Sequence, residues 1–233
     1  MTQKLVSKIL LGAAATLLAT TAFAGSHQDD FIHFIAPKAE AANKDVAKQR
    51  EKLLKLNDNR SHLSSSDKAW VTKLAKDYGI KNPDLSKDST WTDLTKRVDI
   101  VPTSLVVAQA ANESAWGNSR FAKQGNNYFG QWCYKAGCGI VPKQRSSGSH
   151  HEVKRFASAQ ASVTGYIHNL NSNGAYKQLR DIRAQERAAH KQPNGKAMAA
   201  GLNHYSELGQ RYVSMIQTMI TKYNLGQYDT TVV

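Results

Sequence analysis

The sequence predicts a mostly α-helical α+β domain with one small β-hairpin lobe, and three observations carry that prediction. Helix punctuation recurs from Ser66 onward, with capping residues ahead of apolar runs and glycines behind them. One central segment, Gly125 to Gly148, is instead rich in Gly, Asn and aromatics, with Ile140 and Val141, then Val153 and Phe156, as short strand candidates. Both cysteines of the chain, Cys133 and Cys138, fall inside that segment.

The 233 residues carry 31 Lys+Arg against 18 Asp+Glu, a formal charge of +13. That length buries a sizeable core without demanding two domains. Residues 1–24 have the three parts of a secretory signal: Lys4 and Lys8, an apolar run from Ile9 to Ala19, and Ala22-Phe23-Ala24 as a cleavage site. The apolar run is too short to span a bilayer, so no membrane span is expected after the signal is removed. An exported basic chain is not expected to meet nucleic acid. Anionic envelope polymers are the partners its charge suits. In an oxidising compartment Cys133 and Cys138 are expected to pair as a disulfide.

The elements follow in order. Residues 25–66 read as an N-terminal helical extension, with Val46, Arg50, Leu53, Leu54 and Leu56 outlining one amphipathic helix. From residue 67 the composition changes, and 67–229 reads as the main domain. Ser66 or Asp67 caps a helix through Trp70, Val71, Leu74, Ala75 and Tyr78 that ends at Gly79, and Ser89 or Thr90 opens another around Trp91 and Leu94. Pro102 stands where a first-turn proline belongs, ahead of the apolar run Leu105 to Ala111, with the stop expected near Trp116-Gly117. Helices are expected again over 158–171, 173–188 and 207–224, with a loop at Pro193-Asn194-Gly195.

The chemistry concentrates at the end of the helix after Pro102. Glu113 shares a face with Val106, Gln109 and Ala110. Apolar neighbours desolvate a carboxylate there, and the helix C-terminus adds partial negative charge. Both favour the proton-carrying form that a general acid needs. Elsewhere the signals for cofactor chemistry are missing. There is no Gly-rich phosphate loop, dinucleotide fingerprint or G-x-S-x-G elbow. His150 and His151, adjacent on a strand, point to opposite faces and make a poor metal pair. No cofactor, no metal and a monomeric state are expected.

Three segments in order, Glu113-Ser114-Ala115-Trp116-Gly117-Asn118-Ser119, Asn126-Asn127-Tyr128-Phe129-Gly130 and Tyr205-Ser206-Glu207-Leu208-Gly209-Gln210-Arg211-Tyr212, resemble motifs of the bacterial cell-wall glucosaminidases, glycoside hydrolase family 73. Within that family the likeness is greatest to exported Bax-type proteins. The resemblance implies a lysozyme-like fold and hydrolysis of the β-1,4 bond after N-acetylglucosamine in peptidoglycan glycan strands, in the periplasm or after release. By the same resemblance, Glu113 is the general acid and Tyr205 assists near the reacting sugar. Asn126, Asn127, Tyr128 and Phe129 shape the cleft, with Trp116 beside them, and Trp132 stacks on a sugar ring or packs.

The family often places a second carboxylate on the hairpin. Here residues 133–149 contain no Asp or Glu, and Glu152 is the nearest candidate for base or nucleophile. A carboxylate pair requires a separation of about 5–5.5 Å for retention or about 6.5–9.5 Å for inversion; the substrate's own 2-acetamido group is the alternative nucleophile. Three rival readings stay open: a lytic transglycosylase on the same fold, a Cys133–His thiol hydrolase, and a non-catalytic envelope-binding protein.

Overall fold

The computed structural model describes residues 4–143, 145 and 148–229, with side chains described from His27 onward. The expected signal, residues 1–24, therefore lies outside the residues whose side chains are described. Among the described residues, no helix is long and apolar enough to cross a membrane. The expectation of a mostly α protein with a small β lobe holds: the described residues form nine α-helices and one three-stranded antiparallel sheet.

Helix α1 spans Lys4–Asp58 and contains Pro37. Beside that proline, Lys38 Nζ donates to the Phe34 carbonyl at 2.6 Å, and Gln160 reaches the Lys38 carbonyl at 2.9 Å. What the sequence presents as an extension packs as part of the body. Phe31, Ile32, Ile35, Ala36, Ala39, Ala42, Val46 and Leu53 are all buried, a stripe at helical spacing that continues upstream of the Val46–Leu56 pattern. Leu54, counted in that pattern, is exposed.

Helix α2 (Ser65–Asp77) is capped by Ser64, not by Ser66 or Asp67: its hydroxyl accepts the Asp67 amide at 3.1 Å. Helix α3 (Asp88–Arg97) follows, and Val71, Leu74, Tyr78, Trp91 and Leu94 form a small core with Leu53. Helix α4 (Thr103–Ser114) is buried on nearly every side. Leu105, Val106, Val107, Ala108, Ala110 and Ala111 meet α1, α6 (Ala159–Ser172) and α9 (Gln210–Lys222) in the main core. A helix apolar all round belongs at the centre of a domain, and α4 is that centre.

Between them lie α5 (Arg120–Gly125), which the sequence reading missed, and strands β1 (Trp132–Cys133), β2 (Gly139–Ile140) and β3 (Glu152–Lys154). Strand β3 is central, pairing Trp132 with Val153 and Gly139 with Lys154. Helices α7 (Lys177–Ala188) and α8 (Gly195–Met198) complete the body.

The turn joining α3 to α4 is stitched by buried polar groups. The Arg183 guanidinium donates to the carbonyls of Lys96 at 2.7 Å, Asp99 at 3.0 Å and Ile100 at 2.7 Å, and to Asn171 Oδ1 at 2.8 Å. Arg187 forks onto the Asp99 carboxylate at 2.9 and 3.1 Å, and Arg50 of α1 lies 3.5 Å from it. Burial alone would raise the Asp99 carboxyl. The guanidiniums of Arg183, Arg187 and Arg50 outweigh it and hold that group below its ordinary range. Asn43 of α1 completes the turn by bonding the Val101 amide and carbonyl. Arg183→Leu leaves Asp99 and three carbonyls without this donor, and should cost about 3–5 kcal/mol in a denaturant melt. A loss below about 1 kcal/mol would show that the turn stands without it.

Candidate active site

Helix α4 delivers Glu113 and then stops abruptly. The left-handed cap is Ala115 (φ 49°), earlier than expected from the glycine, and Trp116 (56°) and Gly117 (78°) continue in the same region. Non-glycine residues are strained there, and strain of this kind persists only where the surroundings fix it. Ser114 does part of that fixing. Its hydroxyl donates to the Ala110 carbonyl at 2.6 Å and accepts the Gly117 amide at 2.8 Å. Helix α1 does the rest: the Phe31 ring meets Trp116 edge-on at 5.8 Å, and His27 bonds Asn118 at 2.9 Å.

The two oxygens of Glu113 have different surroundings. Oε1 accepts from the Tyr212 hydroxyl at 2.7 Å and from Asn112 Nδ2 at 3.1 Å. Oε2 forms no hydrogen bond among the described residues and looks towards Gly130, where a β-carbon would stand 3.8 Å from it. Gly130 is exposed and has φ 65°, so the backbone turns away and leaves that oxygen reachable.

Behind Oε1 runs a chain of donors pointing one way. Tyr166 donates to Gln109 Oε1, Gln109 Nε2 donates to the Tyr212 oxygen at 3.0 Å, and Tyr212 donates to Glu113. Burial raises Tyr166 and Tyr212 far above the ordinary phenol range, and the nearby Glu113 charge adds to both. Both therefore stay protonated and act as donors. Neither Gln109 nor Tyr212 was named as a site residue from sequence. Tyr212 closes the third motif, and Gln109 sits one helical turn before Glu113 (i−4), which is the signal that was there to read.

The other predicted residues separate into groups. Tyr205 does not touch Glu113 through a hydrogen bond; its hydroxyl donates to the Phe129 carbonyl at 2.9 Å while its ring stacks on Tyr212 at 5.4 Å. Phe129 is buried and stacked on Tyr166 at 4.0 Å. Asn127 is fully used inside the fold, donating to the Gln131 and Lys154 carbonyls and accepting the Phe129 and Gln131 amides. Asn126 caps α5 and donates to the Phe156 carbonyl at 3.1 Å. Trp116 packs against Phe31 and Tyr223, and Tyr128 against Phe31 and Phe34. These residues build the walls, whereas Trp132 is 56% exposed, with one face on His151 at 3.9 Å.

Glu152 is buried beneath the Cys133–Cys138 disulfide. Its two oxygens accept the Gly137 amide at 3.0 Å and the Gly139 amide at 2.7 Å, bonds that hold the carboxyl below its ordinary range. Cys133, Cys138 and Glu152 offer atoms within 4.8 Å of one another, but the thiols are consumed in the disulfide and the carboxylate in the loop, so this is no metal site. No free cysteine remains, which removes the Cys133–His hydrolase reading. A concavity of about 670 Å³ beside Arg60 and Trp91 is not lined by Glu113, and its Arg60 is paired with Asp88. Chemistry, not depth, locates the site.

Comparison with known proteins supplies the family. The profile described as mannosyl-glycoprotein endo-β-N-acetylglucosaminidase matches residues 89–225, more than half of the chain. The chain belongs to the glucosaminidase family. Such a glucosaminidase is a glycoside hydrolase. Protein bax of Escherichia coli (strain K12) is 33% identical over 189 residues, which cover 81% of this chain and 67% of that protein. The crystal structure of the catalytic domain of the autolysin Auto from Listeria monocytogenes aligns with a TM-score of 0.44 at 21% identity, over 76% of this chain and 96% of that one.

The family match begins at residue 89, yet the turn after Glu113 is braced by α1, upstream of it. Phe31→Ala should therefore destabilise this glucosaminidase by about 3–5 kcal/mol, as for a buried core phenylalanine. Unchanged thermal unfolding would show that α1 is not part of the catalytic body.

Proposed function

We propose that this glucosaminidase hydrolyses the β-1,4 bond following N-acetylglucosamine in peptidoglycan, with Glu113 as general acid. The observation that carries the assignment is the asymmetry of the Glu113 carboxyl: one oxygen is held by Tyr212, and the other is free at Gly130. In this reading Oε2 carries the proton and passes it to the departing glycosidic oxygen. Tyr212, a donor that stays protonated, orients the group and steadies the carboxylate once the proton has gone. The site acts outside the cytoplasm, consistent with the Cys133–Cys138 disulfide. Residues 1–24 are the export signal, and 67–229 form the catalytic domain, with α1 from Phe31 to Leu53 packed into it.

Glu152 is not the second catalytic group in this reading, since both of its oxygens serve the hairpin loop. The substrate's 2-acetamido oxygen takes the nucleophile's place. It attacks C1 as the glycosidic oxygen accepts the Glu113 proton, giving a cyclic oxazolinium. Water then opens that ring at C1, returns a proton to Glu113, and leaves the sugar with its configuration retained. Trp132 offers its open face to a sugar ring beyond the cleavage point.

The test is a mass-resolved digest of purified peptidoglycan. Wild type should release fragments reducing at N-acetylglucosamine. Glu113→Gln should lower the rate by about 10²–10⁴-fold, the usual worth of a positioned acid. Tyr212→Phe should lower it by about tenfold or more. Glu152→Gln should leave kcat within a few-fold while loosening the hairpin. Anhydro-muramyl ends would instead assign a transglycosylase. Absence of cleavage with wall binding intact would assign an attachment protein.

A further inference from the structure

We propose that the hairpin lobe is a docking surface for the carboxylate-bearing peptide stems of peptidoglycan, holding the strand whose sugar bond lies at Glu113. This rests on the glycosidase reading above and adds a second point of recognition to it. Between residues 120 and 155 the chain carries seven Lys or Arg, namely Arg120, Lys123, Lys135, Lys143, Arg145, Lys154 and Arg155, and one acid, Glu152. That acid is buried with its oxygens on Gly137 and Gly139; of the seven cations only the Arg145 charge bears on it, and it forms an ion pair with none of them.

The helical body differs. There, half of the described Lys and Arg side chains, Arg60, Lys96, Arg97 and Arg187 among them, have carboxylate partners within 4 Å. In the lobe none of the seven cations forms an ion pair among the described residues. Arg120, Arg145 and Arg155 donate only to backbone carbonyls, which fix the side chains without cancelling their charge. Unpaired cations on a braced loop keep their field for an outside anion.

Position points to the occupant. Gly130 lies beside Oε2 of Glu113, and Trp132, two residues on, opens the lobe with an exposed ring. Tyr134 follows at 74% exposure, inside the loop closed by the disulfide. A glycan strand at Glu113 that stacks on Trp132 therefore brings its peptide stems over the cations. Carboxylates on those stems match the lobe in charge, and sugars match its aromatics.

The experiment uses the full mature chain carrying Glu113→Gln, so that binding is read without cleavage. It is sedimented with intact wall sacculi, with sacculi stripped of peptide by an amidase, and with vesicles of phosphatidylglycerol. A lobe variant, Lys135→Gln/Lys143→Gln/Lys154→Gln, is set against a control of equal charge on and beside α2, Lys68→Gln/Lys76→Gln/Lys81→Gln. The lobe variant should bind intact sacculi about tenfold more weakly, and the control within about twofold of the parent. Both should bind stripped glycan alike.

Equal losses in the two variants would overturn the proposal in favour of net charge alone. So would an equal loss on stripped glycan, or a loss confined to vesicles, which would make lipid headgroups the partner. Cleavage of stripped glycan by the chain with Glu113 intact separates this failure from that of the catalytic reading. If only the docking idea is wrong, that cleavage persists.

Discussion

The buried bracket between Asp99 and its arginines is the constraint on which the rest of the structure rests. Arg183 and Arg187 come from α7, Asn171 from α6, and Arg50 and Asn43 from α1, and all converge on residues 96–101. A turn that carries so many buried carbonyls is costly unless each finds a donor. Once they do, the start of α4 is fixed against three other helices. A helix is stiff over three turns, so fixing its start fixes its end, and the end is Glu113. Asp229, near the chain's other end, adds a second anchor by accepting the Ser104 amide and hydroxyl.

The site applies the same logic at smaller scale. A carboxyl at a helix C-terminus is free to rotate unless something holds it, and the donor chain from Tyr166 through Gln109 to Tyr212 holds one oxygen. Each donor in such a chain polarises the next, and no member is left unpaired inside the core. The hairpin treats its own carboxylate differently. Glu152 faces two backbone amides of a tight, disulfide-closed loop, where its work is to hold that loop in shape. Two glutamates that look alike in sequence are thus set apart by what donates to them.

What was legible in the sequence was local. Helix α4 announced itself through Pro102 and an unbroken apolar run, Glu113 through its place at that run's end, and the disulfide through two cysteines five residues apart. The α1 stripe was obscured by alanine: Ala36, Ala39 and Ala42 pack closely but give a weak hydrophobic signal. Non-local pairing was invisible. Arg183 meets Asp99 across 84 residues with nothing in either neighbourhood to name its partner, and Tyr212 meets Glu113 across 99, hinted at only by its place in the third motif. The left-handed cap falls at Ala115, two residues before Gly117, in a turn that Ser114 braces from the helix end and the Phe31 ring packs against from α1.

The central claim, that Glu113 delivers a proton to the leaving oxygen, is tested most directly by varying how much the leaving group needs one. Aryl glycosides of a short N-acetylglucosamine oligomer, with phenols of graded acidity, serve as substrates for wild type and Glu113→Gln. The account predicts a shallow dependence for wild type and a steep one for the variant, whose rate approaches wild type for the most acidic phenols. A loss in Glu113→Gln that is the same for every leaving group would contradict it, and would leave Glu113 with a role in binding or structure alone.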